Sequence, residues 1–264
     1  MTLKISVENG SGKELDSTEA AERATLVYRG NYTPGDRIRF TVPTPGYYMV
    51  RVDDAIDESL VYLTGEAFTF TVPFGAAKVP YNPKSFTGNL HLTSLRAATA
   101  DEIGATRNLA LNPIDQHDEP DVFPHARANA ETRMEPVFFA RNVIDGITAN
   151  TLHGEWPYAT WGNDNRDDAE ITVEFGRPVD LDEIVLVTRS DFPHDNWWTQ
   201  VTISFSDGTS KTVHMEKSDQ PHRFSLDAGE ANGVTWVKVG KLVKSDDPSP
   251  WAALVQLEAY GRNA

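Results

Sequence analysis

The sequence contains no cysteine, so it can form neither a disulfide nor a thiolate metal site. This absence fits a reducing compartment. No run of residues approaches the ~18 consecutive apolar residues of a membrane-spanning helix. The N-terminal residues have no apolar stretch of the kind found in signal peptides and begin a strand-like alternation at once. We therefore expect no signal peptide in this sequence and a cytoplasmic location, with secretion left open.

Positive charge is also scarce, with 24 Lys and Arg against 39 Asp and Glu and a net charge of -15. Residues 1–106 carry 10 basic and 13 acidic side chains (net -3), and residues 107–264 carry 14 and 26 (net -12). Such a surface repels phosphate backbones, anionic lipids and polyuronates. The composition therefore argues against nucleic acid and membranes as partners and favours a neutral ligand.

The length of 264 residues suggests one large or two ordinary domains. Within residues 1–103, short alternating apolar runs recur every 8–12 residues with Pro-Gly turns between them, which predicts a β-sandwich, here of unassigned family. Residues 17–24 are rich in Glu and Ala, and we expect one or two helical turns there. A linker follows the strand predicted around 91–95, so we place a second domain at residues 104–264.

The second domain is also expected to be all-β. A Ser-Asp-Gly-Thr turn at 206–209 separates two alternating runs, at 201–205 and 211–213, and predicts a hairpin. No helical periodicity persists beyond about ten residues. We therefore predict an all-β chain of two sandwich domains with Greek-key-like connections in the second.

Seven segments of this domain follow one another in a recognisable order. They are Asn-Leu-Ala-Leu-Asn-Pro at 108–113, Asn-Val-Ile-Asp-Gly at 142–146, Trp161, and the runs 168–176, 184–189, 201–208 and 255–261. This series resembles the discoidin, or coagulation-factor C-type, domain, and in particular its bacterial carbohydrate-binding modules. The resemblance covers residues 107–264 and implies a jelly-roll that binds a saccharide through loops at one end.

The loop 190–198 is the richest in functional side chains, including Asp191, His194, Trp197 and Trp198. An indole can stack on the apolar C–H face of a sugar, while Arg, Asn, Asp and His can pair with its hydroxyl groups. One of the two tryptophans is expected to fold back over the end of the barrel. The sequence does not decide which.

The resemblance also implies specific ligand contacts. An Arg at a strand end, an Asn just beyond it and an aromatic residue in a late loop correspond to Arg189, Asn196 and Trp251. Relatives commonly have a His after the first-loop Trp, whereas Gly162 follows it here, so galactose-type specificity is not implied. His153 or Glu155 is our conjecture for the missing polar group.

Many members of this family hold a structural calcium ion. Asp145, Thr148 and main-chain carbonyls are the corresponding ligands here, but Gln256 stands where a Glu usually completes the site. A neutral amide lowers the negative charge around the ion. We therefore expect a weak calcium site or none, and no other cofactor.

Three functions remain open. The preferred hypothesis is non-catalytic binding of a neutral saccharide. The second is a sugar-active hydrolase or lyase with its site between the domains, for which His153 with Glu155, or His194 with Asp195, could form an acid–base pair. The third is an accessory subunit that docks onto a carbohydrate-active enzyme through its Trp-rich loops. The sequence has no G-x-S-x-G, H-E-x-x-H or Walker motif.

Overall fold

The computed structural model describes residues 2–117, 119–227 and 229–264. The N-terminal part contains eight strands and one short α-helix. These elements are β1 (Leu3–Glu8), β2 (Glu14–Ala20), β3 (Arg23–Tyr28), β4 (Arg37–Thr41), β5 (Gly46–Arg51), β6 (Ser59–Leu63), β7 (Ala67–Thr71), β8 (His91–Ala97) and α1 (Ala100–Gly104), with a 3₁₀ turn at Gly75–Lys78.

The N-terminal strands form two antiparallel sheets in the orders β2-β1-β4-β7 and β6-β5-β8-β3. The alternation of apolar and polar residues along these strands explains how the two sheets pack. In β3, for example, Ala24, Leu26 and Tyr28 are buried while the residues between them are exposed, because successive side chains of a strand point to opposite faces. The predicted sandwich is confirmed.

The helical turns expected at residues 17–24 are wrong. Residues up to Ala20 belong to β2, which pairs with β1 from the Leu3–Ala20 pair onwards. The side chains of β2 are exposed or half-buried, as suits an edge strand. Backbone pairing to an existing strand has outweighed the weak helix preference of a few Glu and Ala residues.

The described residues from 105 onwards add ten strands. These are β9 (Arg107–Asn108), β10 (Val122–Phe123), β11 (His125–Ala128), β12 (Trp161–Gly162), β13 (Ile171–Thr188), β14 (Trp198–Phe205), β15 (Ser210–His214), β16 (His222–Ser225), β17 (Val234–Lys244) and β18 (Ala253–Asn263). Short 3₁₀ turns lie at Thr132–Met134, Pro136–Phe138 and Ala140–Ile144. No helix in the described ranges is long and apolar enough to span a membrane.

The long strand β13 joins the two layers of the C-terminal domain. Its first part pairs with β11 and β17, and its second part pairs with β16 and β18, all antiparallel. The change of pairing partners along β13 occurs near Gly176. This residue has a φ of 67°, and a Cβ added to it would lie 2.4 Å from the Phe123 ring. Trp161, Phe175 and Trp198 are buried between the layers. The predicted jelly-roll and the 201–213 hairpin are confirmed.

The two domains share a segment of chain. After β9 has paired with β18, the chain returns to the N-terminal domain, where β10 pairs with β6. Ile114 and Val122 are each 3% exposed and belong to the N-terminal hydrophobic core. The predicted boundary near residue 103 stays a prediction, but these contacts show that the described residues between 109 and 124 serve both domains.

Polar contacts reinforce this junction. The Gln116 amide donates to the Thr71 carbonyl and accepts the Thr71 N–H, both at 2.8 Å. The guanidinium of Arg177 lies 5.3 Å from the Tyr47 ring and 5.7 Å from the Tyr62 ring. Burial of that guanidinium lowers the pKa of Arg177 to about 10. The C-terminal sandwich is therefore held firmly against its neighbour.

Candidate functional site

Three connecting segments meet at one end of the C-terminal sandwich. They are residues 189–197 after β13, residues 245–252 after β17, and residues 149–153. The Asn196 N–H donates to the Trp251 carbonyl at 2.6 Å, and the Ser190 N–H donates to the Asn150 carbonyl at 2.8 Å. These backbone hydrogen bonds hold irregular loops in fixed positions, which is how a rigid scaffold presents binding side chains.

Arg189 forms a buried ion pair at the base of the loops. Its Nε donates to both carboxylate oxygens of Asp195 at 3.0 and 2.9 Å, and its Nη2 donates to Oδ1 at 2.6 Å. The side chains are 5% and 0% exposed. Among the described residues, Nη1 of Arg189 has no hydrogen-bond partner and is the nitrogen left for a ligand. The charge of the guanidinium is already balanced.

Two histidines stack above this pair. The rings of His153 and His194 lie parallel within 7°, with centroids 4.3 Å apart. Nδ1 of His194 is 3.0 Å from Asp195, and Nδ1 of His153 is 2.6 Å from Asp191. Each carboxylate fixes one ring nitrogen as a donor, so the Nε2 of each ring is the nitrogen that can accept or coordinate. Both side chains are 43% exposed.

Arg189, His153, His194 and Trp251 line one pocket of about 180 Å³. Trp251 is 40% exposed, so its indole face is accessible from the solvent. The residues that follow Trp251 and two further segments complete the wall of the pocket, through Ala252, Ala253, Thr132, Arg133, Phe138, Gly162 and Asn163. The pocket combines one flat apolar surface with several hydrogen-bonding groups.

Asn196 lies beneath the loop that carries Trp251. It is 2% exposed, and its amide nitrogen donates to the carbonyls of Asp247 and Ser249 at 3.1 and 2.8 Å. Its Oδ1 accepts the Trp197 N–H at 2.6 Å and the Ser245 hydroxyl at 2.8 Å. The amide is thus used by the protein itself. Asn196 positions the loop that carries Trp251, and its predicted contact with a ligand stays a prediction.

The tryptophan that folds back is Trp198. It is 1% exposed and packs against Trp161, with the ring centroids 6.1 Å apart. Trp197 is half-buried outside the pocket, edge-on to Phe192, and the Lys217 ammonium lies 5.1 Å from its ring. Of the tryptophans predicted to bind, only Trp251 lines the pocket.

Glu155 is separated from His153. It lines another small pocket, against the 3₁₀ turn at Gly75–Lys78 of the N-terminal domain, together with Trp156 and Pro83. The two residues predicted as alternative sources of one polar group therefore belong to different surfaces. Only His153 contributes to the pocket with Arg189.

Sequence reasoning did not identify Arg133, Phe138 and Asn163 as residues of the pocket. Arg133 lies with its guanidinium 5.3 Å from the Phe138 ring and pairs with Glu135 at 2.7 Å. Asn163 donates from Nδ2 to the Arg166 carbonyl at 3.0 Å. These residues lie in 3₁₀ turns and loops with no repeating pattern, so only the folded chain brings them to the pocket.

Comparison with known proteins finds likeness in structure alone. A chitosan-binding module from a Paenibacillus sp. IK-5 chitosanase/glucanase matches with 20% identity and a TM-score of 0.40, over 59% of this chain and 99% of that one. A Streptococcus pneumoniae fucose-binding module matches with 13% identity and a TM-score of 0.41, over 60% and 99%. A Clostridium perfringens module, CpGH89CBM32-4, in complex with GlcNAc-α-1,4-galactose, matches with 14% identity and a TM-score of 0.38, over 62% and 97%.

These neighbours are carbohydrate-binding modules. They are the kind of protein that the sequence resemblance names. At these identities and TM-scores the likeness carries no argument about the ligand of this chain. No protein-family model matches the sequence, and a search of curated proteins finds no match.

The residues at the implied calcium position do not fit a calcium ion. Gln256 is fully buried, and its Nε2 donates to the Asn142 carbonyl at 3.0 Å and to Asp145 Oδ1 at 2.7 Å. Its Oε1 accepts the Gly146 N–H at 3.2 Å. The Nε2–H groups of Gln256 therefore already bind the carbonyl and carboxylate oxygens that a cation would need as ligands. Thr148, the other side chain predicted as a ligand beside Asp145, is exposed.

Burial raises the pKa of Asp145 to about 7, which also disfavours an oxygen site for a hard cation at neutral pH. The expectation of a weak calcium site or none stays a prediction.

A larger cavity of about 620 Å³ lies between the domains. Its wall includes Phe74, Tyr81 and Phe139, and the Arg141 guanidinium lies 4.6 Å from the Tyr81 ring. His117, also on this wall, is 2.7 Å from a carboxylate oxygen of Glu131. A His–Glu pair can hold and transfer a proton, so this is the place that an interdomain enzyme site would occupy.

Proposed function

We propose that the chain binds a neutral saccharide, without acting on it, in the 180 Å³ pocket beside Trp251. The observation that carries the proposal is the convergence in one pocket of an exposed indole, a charge-balanced guanidinium and two imidazoles held by carboxylates. Each of these groups matches one face of a sugar. The pocket is smaller than the ~300–1,000 Å³ of drug-sized ligand sites, which suits one terminal sugar ring.

The apolar part of the interaction is assigned to Trp251. Its ring is 40% exposed at the pocket wall, so stacking a sugar on it removes apolar surface from water on both partners. Aromatic contacts of this kind add to affinity through area and through the geometry of the ring. The face of a pyranose that carries C–H groups is the matching surface.

The polar part is assigned to Arg189 Nη1 and to the Nε2 atoms of His153 and His194. A hydroxyl group both donates and accepts, so it can bridge a guanidinium donor and an imidazole acceptor. Because the Nδ1 atoms and the other guanidinium nitrogens are held by Asp191 and Asp195, these groups are oriented before the ligand arrives. Such preorganisation lowers the entropic cost of binding.

Charge favours a neutral ligand. Arg189 is paired with Asp195, and the whole chain has a net charge of -15, so an anionic sugar would be repelled without a free cation to receive it. Affinity for a neutral sugar is expected to change little between low and high salt, whereas that of a charged ligand would fall with screening.

The experiment begins with a glycan array on the intact chain, followed by calorimetry with the best ligand. Trp251→Ala should weaken binding at least tenfold, or about 1.4 kcal/mol, because it removes the stacking surface. Trp197→Ala is the matched control, since Trp197 lies outside the pocket, and should keep wild-type affinity. Binding unchanged by Trp251→Ala, or no glycan bound at all, contradicts the proposal.

The second candidate is a sugar-active hydrolase or lyase in the interdomain cavity. The observation in its favour is the His117–Glu131 pair at 2.7 Å on the wall of that cavity. The two functions are separated by incubating the intact chain with the glycans that it binds on the array and then assaying for newly formed reducing ends. Time-dependent cleavage would favour the enzyme, and ligand recovered intact would favour binding.

A further inference from the structure

His153, Asp191 and His194 form a compact cluster of metal-ligating groups at the mouth of the same pocket. One ligand atom from each residue can be chosen so that all three lie within 4.8 Å of one another. Asp191 and His194 belong to the loop after β13, and His153 belongs to the segment that packs beside it. The cluster is independent of the calcium position at Asp145 and Gln256.

The donor set selects the class of ion. Two imidazoles and one carboxylate suit borderline divalent ions such as Zn²⁺, which binds His nitrogen at ~2.0–2.1 Å and carboxylate oxygen at ~2.0–2.2 Å. Calcium and magnesium require oxygen ligands and have no use for two imidazoles. Three protein ligands leave a fourth position open to water or another small oxygen ligand.

The surroundings of His194 support this assignment. Its Nδ1 lies 3.0 Å from Asp195, and Asp195 is itself held by Arg189. A carboxylate on one ring nitrogen fixes the tautomer and makes the other nitrogen a better ligand, which is the usual arrangement behind metal-bound histidines. Nε2 of His194 is thereby prepared to coordinate.

To hold an ion, the ligand atoms must move closer together and at least one of the two rings must rotate. Ligand atoms around a tetrahedral zinc ion lie ~3.3 Å apart when each bond is ~2.0–2.1 Å, against a spread of up to 4.8 Å here. Both imidazoles are 43% exposed, so their rings can turn without disturbing the core. The two rings are stacked in parallel with their centroids 4.3 Å apart, so at least one ring has to turn before a nitrogen of each can point at one ion.

We infer that His153, Asp191 and His194 bind one Zn²⁺ ion per chain at the mouth of the pocket. The ion needs no sugar to bind, so the zinc test does not involve Trp251 or any glycan. With zinc bound, the imidazole nitrogens of His153 and His194 are no longer free to pair with a sugar, and Arg189 Nη1 and Trp251 remain for that contact.

The experiment uses the full chain, without affinity tag, stripped with chelator and titrated with ZnCl₂ by calorimetry in the absence of any glycan. One zinc per chain is expected, with no corresponding heat from CaCl₂ or MgCl₂. His153→Ala and His194→Ala should each weaken zinc binding at least tenfold. His214→Ala, which removes an exposed histidine of β15, is the matched control and should bind like the wild type.

A second measurement guards against variants that fail to fold. Thermal melts in chelator should give a cooperative transition for wild type, His194→Ala and the conservative His194→Gln, with the variants lowered only by the lost hydrogen bond to Asp195. Only the wild type should gain stability when zinc is added. Absence of stoichiometric zinc binding by the folded wild type overturns the inference. Equal loss of affinity in His214→Ala overturns it as well, because zinc would then be bound without regard to the cluster.

Discussion

Breaking the Arg189–Asp195 ion pair should destabilise the whole chain. Asp195 is completely buried, and three of its five contacts come from Arg189, while the others are the Asp191 N–H at 2.9 Å and His194. Arg189→Met keeps most of the side-chain volume but leaves a buried carboxylate without its counter-charge. Removing one partner of such a pair costs ~3–5 kcal/mol, a large part of a typical total of ~5–15 kcal/mol.

The assay is urea unfolding followed by tryptophan fluorescence, with a thermal melt as a second measurement. A loss of ~3–5 kcal/mol corresponds to a fall of roughly 10 °C for a chain of this size. The double variant Arg189→Met/Asp195→Leu should recover part of the loss, because both charges have then been removed together. A cost below ~1 kcal/mol for Arg189→Met would refute the reasoning. Arg189 variants are consequently poor tests of ligand binding, since a loss of affinity would reflect a loss of folding.

Three further predictions concern the domain junction and the Asp145 position. The fragment 104–264 should melt cooperatively but at a lower temperature than the intact chain. In the fragment, Ile114 and Val122 lose the N-terminal domain that buries them, and burial stabilises each side chain by ~1.5–3 kcal/mol. A calorimetric scan with no cooperative transition would contradict this prediction. Millimolar calcium should raise the melting temperature of the wild type only slightly above its value in chelator, because Gln256 replaces the acidic ligand. A site filled at 100 times Kd would add ~2.7 kcal/mol to the stability. A rise of many degrees would therefore contradict the expectation of a weak calcium site or none. The folded-state pKa of Asp145, about 7, exceeds its usual value of ~3.9, so the folded state binds the extra proton and stability from this group falls as pH rises from about 4 to 7. Asp145→Asn should flatten that part of the urea-midpoint profile, and an unchanged slope would contradict the shift.

The fold was largely predictable because local sequence patterns, namely strand alternation and turn motifs, indicate most of its strands. Alternation along β3, β4 and β14 marks which side chains face the core, and the turn at 206–209 fixes a hairpin without reference to the rest of the chain. The edge strand β2 was missed because its side chains are mostly solvated and carry no alternation. Only its pairing with β1 decides its conformation.

The domain junction and the pocket depend on contacts between distant residues. No sequence pattern indicates that Val122 pairs with Leu63, or that Arg133 and Trp251 line one wall. The resemblance named Arg189 and Trp251, and both line the pocket. The resemblance could not reveal that the Asn196 amide forms hydrogen bonds with residues 245–249, because those bonds depend on how the loop after β17 folds.

The central claim is that the pocket beside Trp251 binds a neutral saccharide, and one paired measurement tests it most directly. Calorimetry of the intact chain with its best array glycan should show a loss of at least tenfold for Trp251→Ala and none for Trp197→Ala. Wild-type affinity should be nearly the same at low and high salt. Equal affinity in wild type and Trp251→Ala, with both proteins folded, would contradict the account and direct attention to the cavity between the domains.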